Sequence, residues 1–149
     1  AGRTPVMFVV PKGISKALAQ GTQAGTRVDR PVGLIDIYPT LVDLCGLSEN
    51  KALEGQSLVR LLADPKAKWG RPALTTFGRN NHALRTPQWR YIRYRDGSEE
   101  LYDHNADPNE WTNLAGKPQH AELKKEMAKW FPKKNAPGAA NYKGKGGRK

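Results

Sequence analysis

The chain is poor in the residues that build disulfide frameworks and metal clusters: it has one cysteine, Cys45, and three histidines among 149 residues. A single cysteine closes no internal disulfide and excludes a cysteine-rich zinc site, and it leaves the redox compartment undetermined. Long apolar runs are missing too, since no stretch approaches the roughly 20 residues that span a bilayer. The opening Ala1-Gly2-Arg3-Thr4-Pro5 has neither an initiator methionine nor an apolar signal core, as expected of a fragment or a processed chain. P-loop, dinucleotide glycine fingerprint, His-Glu-x-x-His and paired-cysteine motifs are all lacking. The length is one domain's worth, so these residues by themselves are expected to form one domain and not a large multidomain enzyme.

Positive charge is what the sequence has in excess, with 25 Lys and Arg against 14 Asp and Glu, a net +11. Its position says more than its total. Residues 132–149 hold Lys133, Lys134, Lys143, Lys145, Arg148 and Lys149 and no acid. Their Gly, Ala, Pro and Asn surroundings bury too little apolar surface to offset ordering entropy, so a disordered basic tail is expected. The rest of the charge is ordinary for a domain surface.

Hydrophobic patterning places the elements. Thr4 to Val10 is a short, nearly continuous apolar run closed by Pro11-Lys12-Gly13, which predicts a buried strand. Residues 13–31 read as a loop. Leu34, Ile37, Tyr38, Leu41, Val42, Leu44 and Cys45 follow helical spacing, with Asp36 as N-cap, Pro39 in the first turn and Gly46 at the C-terminal left-handed position. Cys45 on that stripe is expected to be a small buried hydrophobe. Ser57 to Leu62 allows one or two helical turns. Ala73–Phe77, Ala83–Thr86, Trp89–Arg95 and Glu99–Tyr102 then alternate as strands, and Asp96-Gly97 signals a hairpin, so an antiparallel meander is expected. Asp107-Pro108-Asn109-Glu110 predicts a capped helix start, and Leu123, Met127 and Trp130 predict one face of a last helix.

His82 is the most informative single residue. In Gly78-Arg79-Asn80-Asn81-His82-Ala83-Leu84-Arg85 it stands with two arginines and two amides, a set suited to a sulfate, phosphate or carboxylate. Arg79, His82 and Arg85 are therefore the candidate substrate-binding residues. The bland alternative is a polar turn with solvated arginines. His104, between Asp103 and Asp107, could suggest a metal loop, but turns and helix caps need the same carboxylates. Trp89, Tyr91 and Tyr94 beside Arg90, Arg93 and Arg95 resemble a nucleic-acid surface, although alternating aromatics more often fill a core.

Several segments together resemble the C-terminal third of a formylglycine-dependent sulfatase. They are Arg3-Thr4-Pro5-Val6 with Phe8-Val9-Val10-Pro11, then Pro31-Val32-Gly33-Leu34-Ile35-Asp36-Ile37-Tyr38-Pro39-Thr40-Leu41, then Leu53-Glu54-Gly55-Gln56-Ser57-Leu58. Trp89-Arg90-Tyr91-Ile92-Arg93-Tyr94, Glu100-Leu101-Tyr102-Asp103 and Asp107-Pro108-Asn109-Glu110-Trp111-Thr112-Asn113-Leu114 continue the match, and residues 78–85 resemble the bacterial iduronate-2-sulfatase-like branch.

The resemblance implies an α/β, alkaline-phosphatase-like fold. Residues 1–71 would end the sulfatase α/β domain, 72–131 would form a small antiparallel-sheet subdomain with a packing helix, and 132–149 the basic tail. It implies a hydrolase of sulfate esters, of a sulfated carbohydrate above all, with calcium and a formylglycine in the intact enzyme. The family's modification motif is C/S-x-P-x-R, whereas Cys45 is followed by Gly46-Leu47-Ser48-Glu49 and cannot be the precursor. The expectations are thus no catalytic residue, no metal ligand and no cofactor in this chain, which alone would be inactive. Its implied partner is the N-terminal sulfatase portion, and its implied location, by resemblance only, is periplasmic or secreted. Small basic nucleic-acid-binding or sulfated-glycan-binding proteins are the alternative readings.

Overall fold

The computed structural model describes residues 6–13, 16, 18, 21–23 and 25–135. The expected tail therefore lies, from residue 136 on, outside the described residues, as do Thr4 and Pro5 of the expected first strand. Two compact units divide the chain, residues 1–73 and 74–149.

In the first unit the expected strand is corrected: residues 6–10 join no ladder among the described residues. A strand needs a hydrogen-bonding neighbour, and here Val10 instead donates its N–H to Thr22 Oγ1 at 3.1 Å and accepts from Thr22 N at 3.0 Å. The helix forms, but more briefly than its pattern. A 3-10 turn at Leu34–Asp36 leads into α1, Ile37–Leu44. Gly46 takes the left-handed conformation (φ +65°) that ends it. A second short helix, α2, runs Val59–Ala63. Val10, Leu18, Leu44 and Val59 form one small apolar cluster, and Leu58, Leu61 and Ala67 with Val28, Val32 and Trp69 a second.

The Leu53–Leu58 segment wraps α1 for reasons its residues make plain. A Cβ at Gly55 would lie 2.1 Å from the Ile35 carbonyl oxygen, so only glycine permits this approach. The next residues then bond in sequence: Gln56 N donates to Asp36 Oδ1 (2.9 Å), Ser57 Oγ to Asp43 Oδ2 (2.6 Å) and Leu58 N to Thr40 Oγ1 (2.9 Å). Thr40, fully buried, donates its own hydroxyl hydrogen bond to the Asp36 carbonyl (2.5 Å).

The second unit is built on a four-stranded sheet in chain order: β1 Ala73–Thr76, β2 His82–Arg85, β3 Trp89–Arg93 and β4 Glu99–Asp103. The antiparallel register aligns Leu84, Tyr91 and Leu101 across β2, β3 and β4. All three are buried, and α3 (Ala121–Ala128) covers them with Leu123 and Met127, joined by Phe131. Each such side chain removed from water is worth about 1.5–3 kcal/mol, so this row is the energetic centre of the unit. The expected hairpin forms at Asp96-Gly97. Gly97 sits at φ +86°, Tyr94 N donates to Ser98 O, and Asp96 Oδ1 accepts from both Ser98 N and Ser98 Oγ.

Two elements differ from the pattern. Asp107–Glu110 is a turn rather than a helix start: Glu110 holds φ +61°, and the Asp107 carboxylate gathers the amides of the turn, with Thr112 N donating to Oδ2 at 2.7 Å. The chain after it runs beside β4, where Leu114 N donates to Leu101 O and Asn113 Oδ1 accepts from Leu101 N and Ala115 N. Trp130 lies beyond the end of α3 and is half exposed, while Phe131 takes the core position.

Candidate functional site

Strand alternation decides where the three candidate residues point. His82 and Leu84 face the core and are buried, whereas Ala83 and Arg85 lie on the opposite face of β2. Arg79, in the β1–β2 turn, is exposed. The fold therefore does not gather Arg79, His82 and Arg85 into one cluster.

His82 is 3% exposed, and both ring nitrogens are engaged. Nε2 lies 2.7 Å from Asn135 Oδ1 and Nδ1 lies 2.9 Å from Thr76 Oγ1. An amide oxygen only accepts, so Nε2–H donates to Asn135, and in the neutral ring Nδ1 accepts a hydrogen bond from the Thr76 hydroxyl. The ring stands 5.6 Å from that of Phe131, over which the Arg93 guanidinium is placed at 4.3 Å. His82 thus braces the edge strand β1 and the segment after α3 against the sheet. Asn135, 53 residues away, carried no sequence signal of this role.

Arg85 belongs to a charged network on the other face. Its guanidinium donates to Thr86 O and Trp89 O and to His104 Nδ1 (2.8 Å). Since a guanidinium only donates, His104 Nδ1 is the acceptor and Nε2–H donates to Glu110 Oε1 at 2.7 Å. The other Glu110 oxygen pairs with Arg90 at 2.5 Å. Glu110 adopts a strained left-handed backbone to reach both partners. Its spacing from Asp107 reads as a capping box, which is why the sequence pattern missed it. Nearby, Tyr94 and Tyr102 both donate to Glu100, at 3.0 Å each. Burial, with the Glu100 hydrogen bond and charge behind it, pushes Tyr102 up to about 12. On the core face Tyr91 donates to Glu99, whose other oxygen meets Lys124 at 2.6 Å.

Asp36 is 3% exposed and its carboxylate is satisfied within the first unit, by Gly33 N (2.8 Å), Gln56 N and, at 3.7 Å, Arg71. Cys45 is exposed, a correction to the buried position expected of it. The reason lies in α1 and the turn before it: Leu34 (73% exposed), Tyr38 (59%) and Leu41 (48%) share the i, i+4, i+7 face that leads to Cys45, and among the described residues this face stays exposed. Among the described residues no group of three or more His, Cys, Asp or Glu is placed to hold a metal ion. No described helix is long and apolar enough to cross a membrane.

Comparison with known proteins gives these contacts a family. Residues 2–136 match the family described as N-sulphoglucosamine sulphohydrolase, C-terminal. A sulfatase of Formosa agariphila is 41% identical over 112 residues, covering 75% of this chain and 22% of its own length. Arylsulfatase K of Mus musculus is 40% identical over 113 residues, 66% of this chain and 20% of the relative. An ulvan-active sulfatase of Formosa agariphila is 32% identical over 143 residues, 90% of this chain and 27% of the relative. Among solved structures, BT4656 in complex with its substrate D-glucosamine-2-N,6-O-disulfate superposes with TM-score 0.55 at 26% identity, over 63% of this chain and 22% of that one. A phosphonate monoester hydrolase from Silicibacter pomeroyi shares the fold, with TM-score 0.59 at 23% identity over 74% of this chain and 27% of that one. The chain thus spans about a fifth to a quarter of the length of these proteins. The α/β architecture is that of the C-terminal part of the alkaline-phosphatase-like sulfatases, and the chain belongs to the N-sulphoglucosamine sulphohydrolase C-terminal family of sulfatases.

Proposed function

We propose that this chain is the C-terminal portion of a sulfatase that hydrolyses sulfate esters of a carbohydrate, and that it acts by completing a larger α/β domain. The observation that carries the reading is the apolar face running from the 3-10 turn through α1, exposed among the described residues, in a chain that spans only 22% of the first relative. Leu34, Tyr38, Leu41 and Cys45 form a helix face of the kind that packs against a neighbour. In this proposal the neighbour is the preceding portion of the enzyme. A sugar substrate is supported by the disulfated glucosamine bound to the BT4656 relative and by the ulvan-active relative. The sequence of residues 78–85 supports an iduronate-2-sulfatase-like member.

In this reading calcium and the formylglycine are held outside this chain, and two observations support it. The acidic side chains Asp36, Glu99, Glu100 and Glu110 are each held by donors already named, and Cys45 lacks the Pro and Arg of the modification motif. Both groups belong, in this reading, to the rest of the enzyme. Of the three substrate-contact candidates, Arg79 is the one we propose to reach substrate directly. His82 supports its turn from below through Thr76, and Arg85 acts on the far face by holding His104. Export to the periplasm or medium follows from the same family reading. The test is direct: the purified chain, given an aryl sulfate and calcium, shows no hydrolysis. Turnover by the chain alone would mean that it carries a complete site and would overturn the proposal.

A further inference from the structure

At the end of the sheet away from the Asp96-Gly97 hairpin, one imidazole joins two parts of the second unit. His104 follows β4, and its side chain is 12% exposed. Its Nδ1 accepts from the Arg85 guanidinium of β2 at 2.8 Å, and its Nε2–H donates to Glu110 Oε1 at 2.7 Å. Its backbone N–H donates at 2.8 Å to the carbonyl of Gln88, in the turn between β2 and β3, and Gln88 Nε2 lies 3.2 Å from both oxygens of Asp103. Together these contacts clamp the β2–β3 turn to the segment after β4. The charged neighbours of the ring are otherwise fixed. Arg85 and Arg90 stay protonated at every pH a folded protein meets. Asp103 is held by Gln88 and by Asn105 N (3.0 Å), and Glu110 by Arg90 through its second oxygen. Backbone hydrogen bonds, that from Thr112 foremost, keep Asp107 below the usual carboxylate range, and Tyr102, pushed up to about 12 by burial, stays neutral. An imidazole, by contrast, is the side chain that gains and loses a proton between about pH 5 and 8.

We propose that protonation of His104 opens this clamp, which makes the junction of β2 with the segment after β4 a pH-sensitive switch. The neutral ring supplies the acceptor that Arg85 requires, because a guanidinium only donates. A second proton must sit on Nδ1, and the contact at 2.8 Å then sets N–H against N–H and cation against cation. One of the two has to leave. Glu110 keeps the ring, now as an ion pair, with a carboxylate that Arg90 fixes in place. Arg85 has the Thr86 and Trp89 carbonyls as acceptors and turns away onto them. The break therefore falls between β2 and His104, and the His104 N–H loses the contact that steadied it on Gln88. Glu110 belongs to the same device: its left-handed backbone, φ +61°, lets one carboxylate serve a histidine six residues before it and an arginine of β3. The switch rests on these side chains alone and is independent of the sulfatase reading.

The experiment follows the 149-residue chain by NMR from about pH 8 to pH 5, where imidazoles titrate. Long-range nitrogen–proton correlations give the tautomer and charge of each histidine, and the guanidinium signals of Arg85 report its contact. Amide exchange at His104, corrected for its intrinsic pH dependence, reports the clamp. The expected starting state is the Nε2–H tautomer of His104. As the ring takes its second proton, the Arg85 signals should shift with the same midpoint and the His104 amide should exchange about tenfold faster, the weight of one hydrogen bond to a charged group. His104→Gln offers one acceptor and one donor without titrating, so its clamp should stay closed at every pH, whereas Arg85→Met should leave it open at every pH. Should either variant misfold, the wild-type titration decides by itself. An Nδ1–H tautomer at high pH, a ring that stays neutral until the chain unfolds, or an Arg85 contact that survives protonation would each overturn the switch. So would the same pH dependence in His104→Gln, which would assign it to His82, His120 or a carboxylate.

Discussion

Replacing Thr40 by valine keeps the shape of the side chain and removes one oxygen. That oxygen accepts the Leu58 amide at 2.9 Å and donates to the Asp36 carbonyl at 2.5 Å, and both bonds are buried. Valine leaves the Leu58 N–H unpaired, at about 1–3 kcal/mol. Serine keeps both bonds and loses only a methyl group, worth about 0.8 kcal/mol with a small cavity cost added. The expected order of stability is therefore Thr, then Ser, then Val, whereas a ranking by hydrophobicity would put Val first. Urea unfolding of the first unit gives the order. Amide hydrogen exchange at Leu58 gives the cause: with tenfold per 1.4 kcal/mol, Thr40→Val should exchange several-fold to a hundredfold faster than wild type, and Thr40→Ser a few-fold. A valine variant as stable as wild type, with Leu58 still protected, would refute the claim that this hydroxyl fastens the Gly55–Leu58 segment to α1.

His82→Ala should free both β1 and the segment at Asn135, lowering stability by about 2–4 kcal/mol through lost burial and two lost bonds; limited proteolysis should then cut after Phe131 faster than in wild type, and an unchanged cleavage rate would contradict the bracing role. A double-mutant cycle of Arg90→Met with Glu110→Gln should show coupling of about 1 kcal/mol or more, because the pair is mostly shielded and shared with His104; additive effects would place the pair among ordinary surface contacts. Tyr102 has a folded value raised to about 12 from 10.0, so its contribution is complete below pH 10 and lost as pH rises toward 12, and Tyr102→Phe should flatten stability over that window. Burial alone would raise Glu99, but the hydrogen bonds from Lys124 and Tyr91 outweigh it and its value is lowered; its contribution is present above the ordinary glutamate range and lost as pH falls below it, which Glu99→Gln should remove from an acid titration of stability.

The sheet was legible in the sequence because period-two alternation over Trp89–Arg93 and the Asp96-Gly97 turn are local signals with local causes. Boundaries moved by a residue or two, and the alternation also told which residues share a face. The helix at Pro39 was legible for the same reason. What the pattern misjudged depended on partners. Val6–Val10 is apolar enough for a strand, yet without a neighbouring ladder the described residues make none. Cys45 lies on an apolar stripe, and that stripe is exposed among the described residues. Glu110 satisfies a capping-box spacing, but its two oxygens gain more from Arg90 and His104 than from a backbone amide, and the helix start gives way to a turn. His82 drew attention as a candidate ligand contact, but the partner the structure gives it was not legible, because Asn135 lies in a segment read as tail.

The central claim is that this chain completes a sulfatase. The direct measurement is to replace the matching C-terminal segment of the Formosa agariphila sulfatase, 41% identical over 112 residues, with this chain, and to follow hydrolysis of a sulfated monosaccharide. The account predicts turnover by the chimera, none by the relative truncated before the segment, and none by this chain alone. A soluble, folded chimera as inactive as the truncated relative would contradict it.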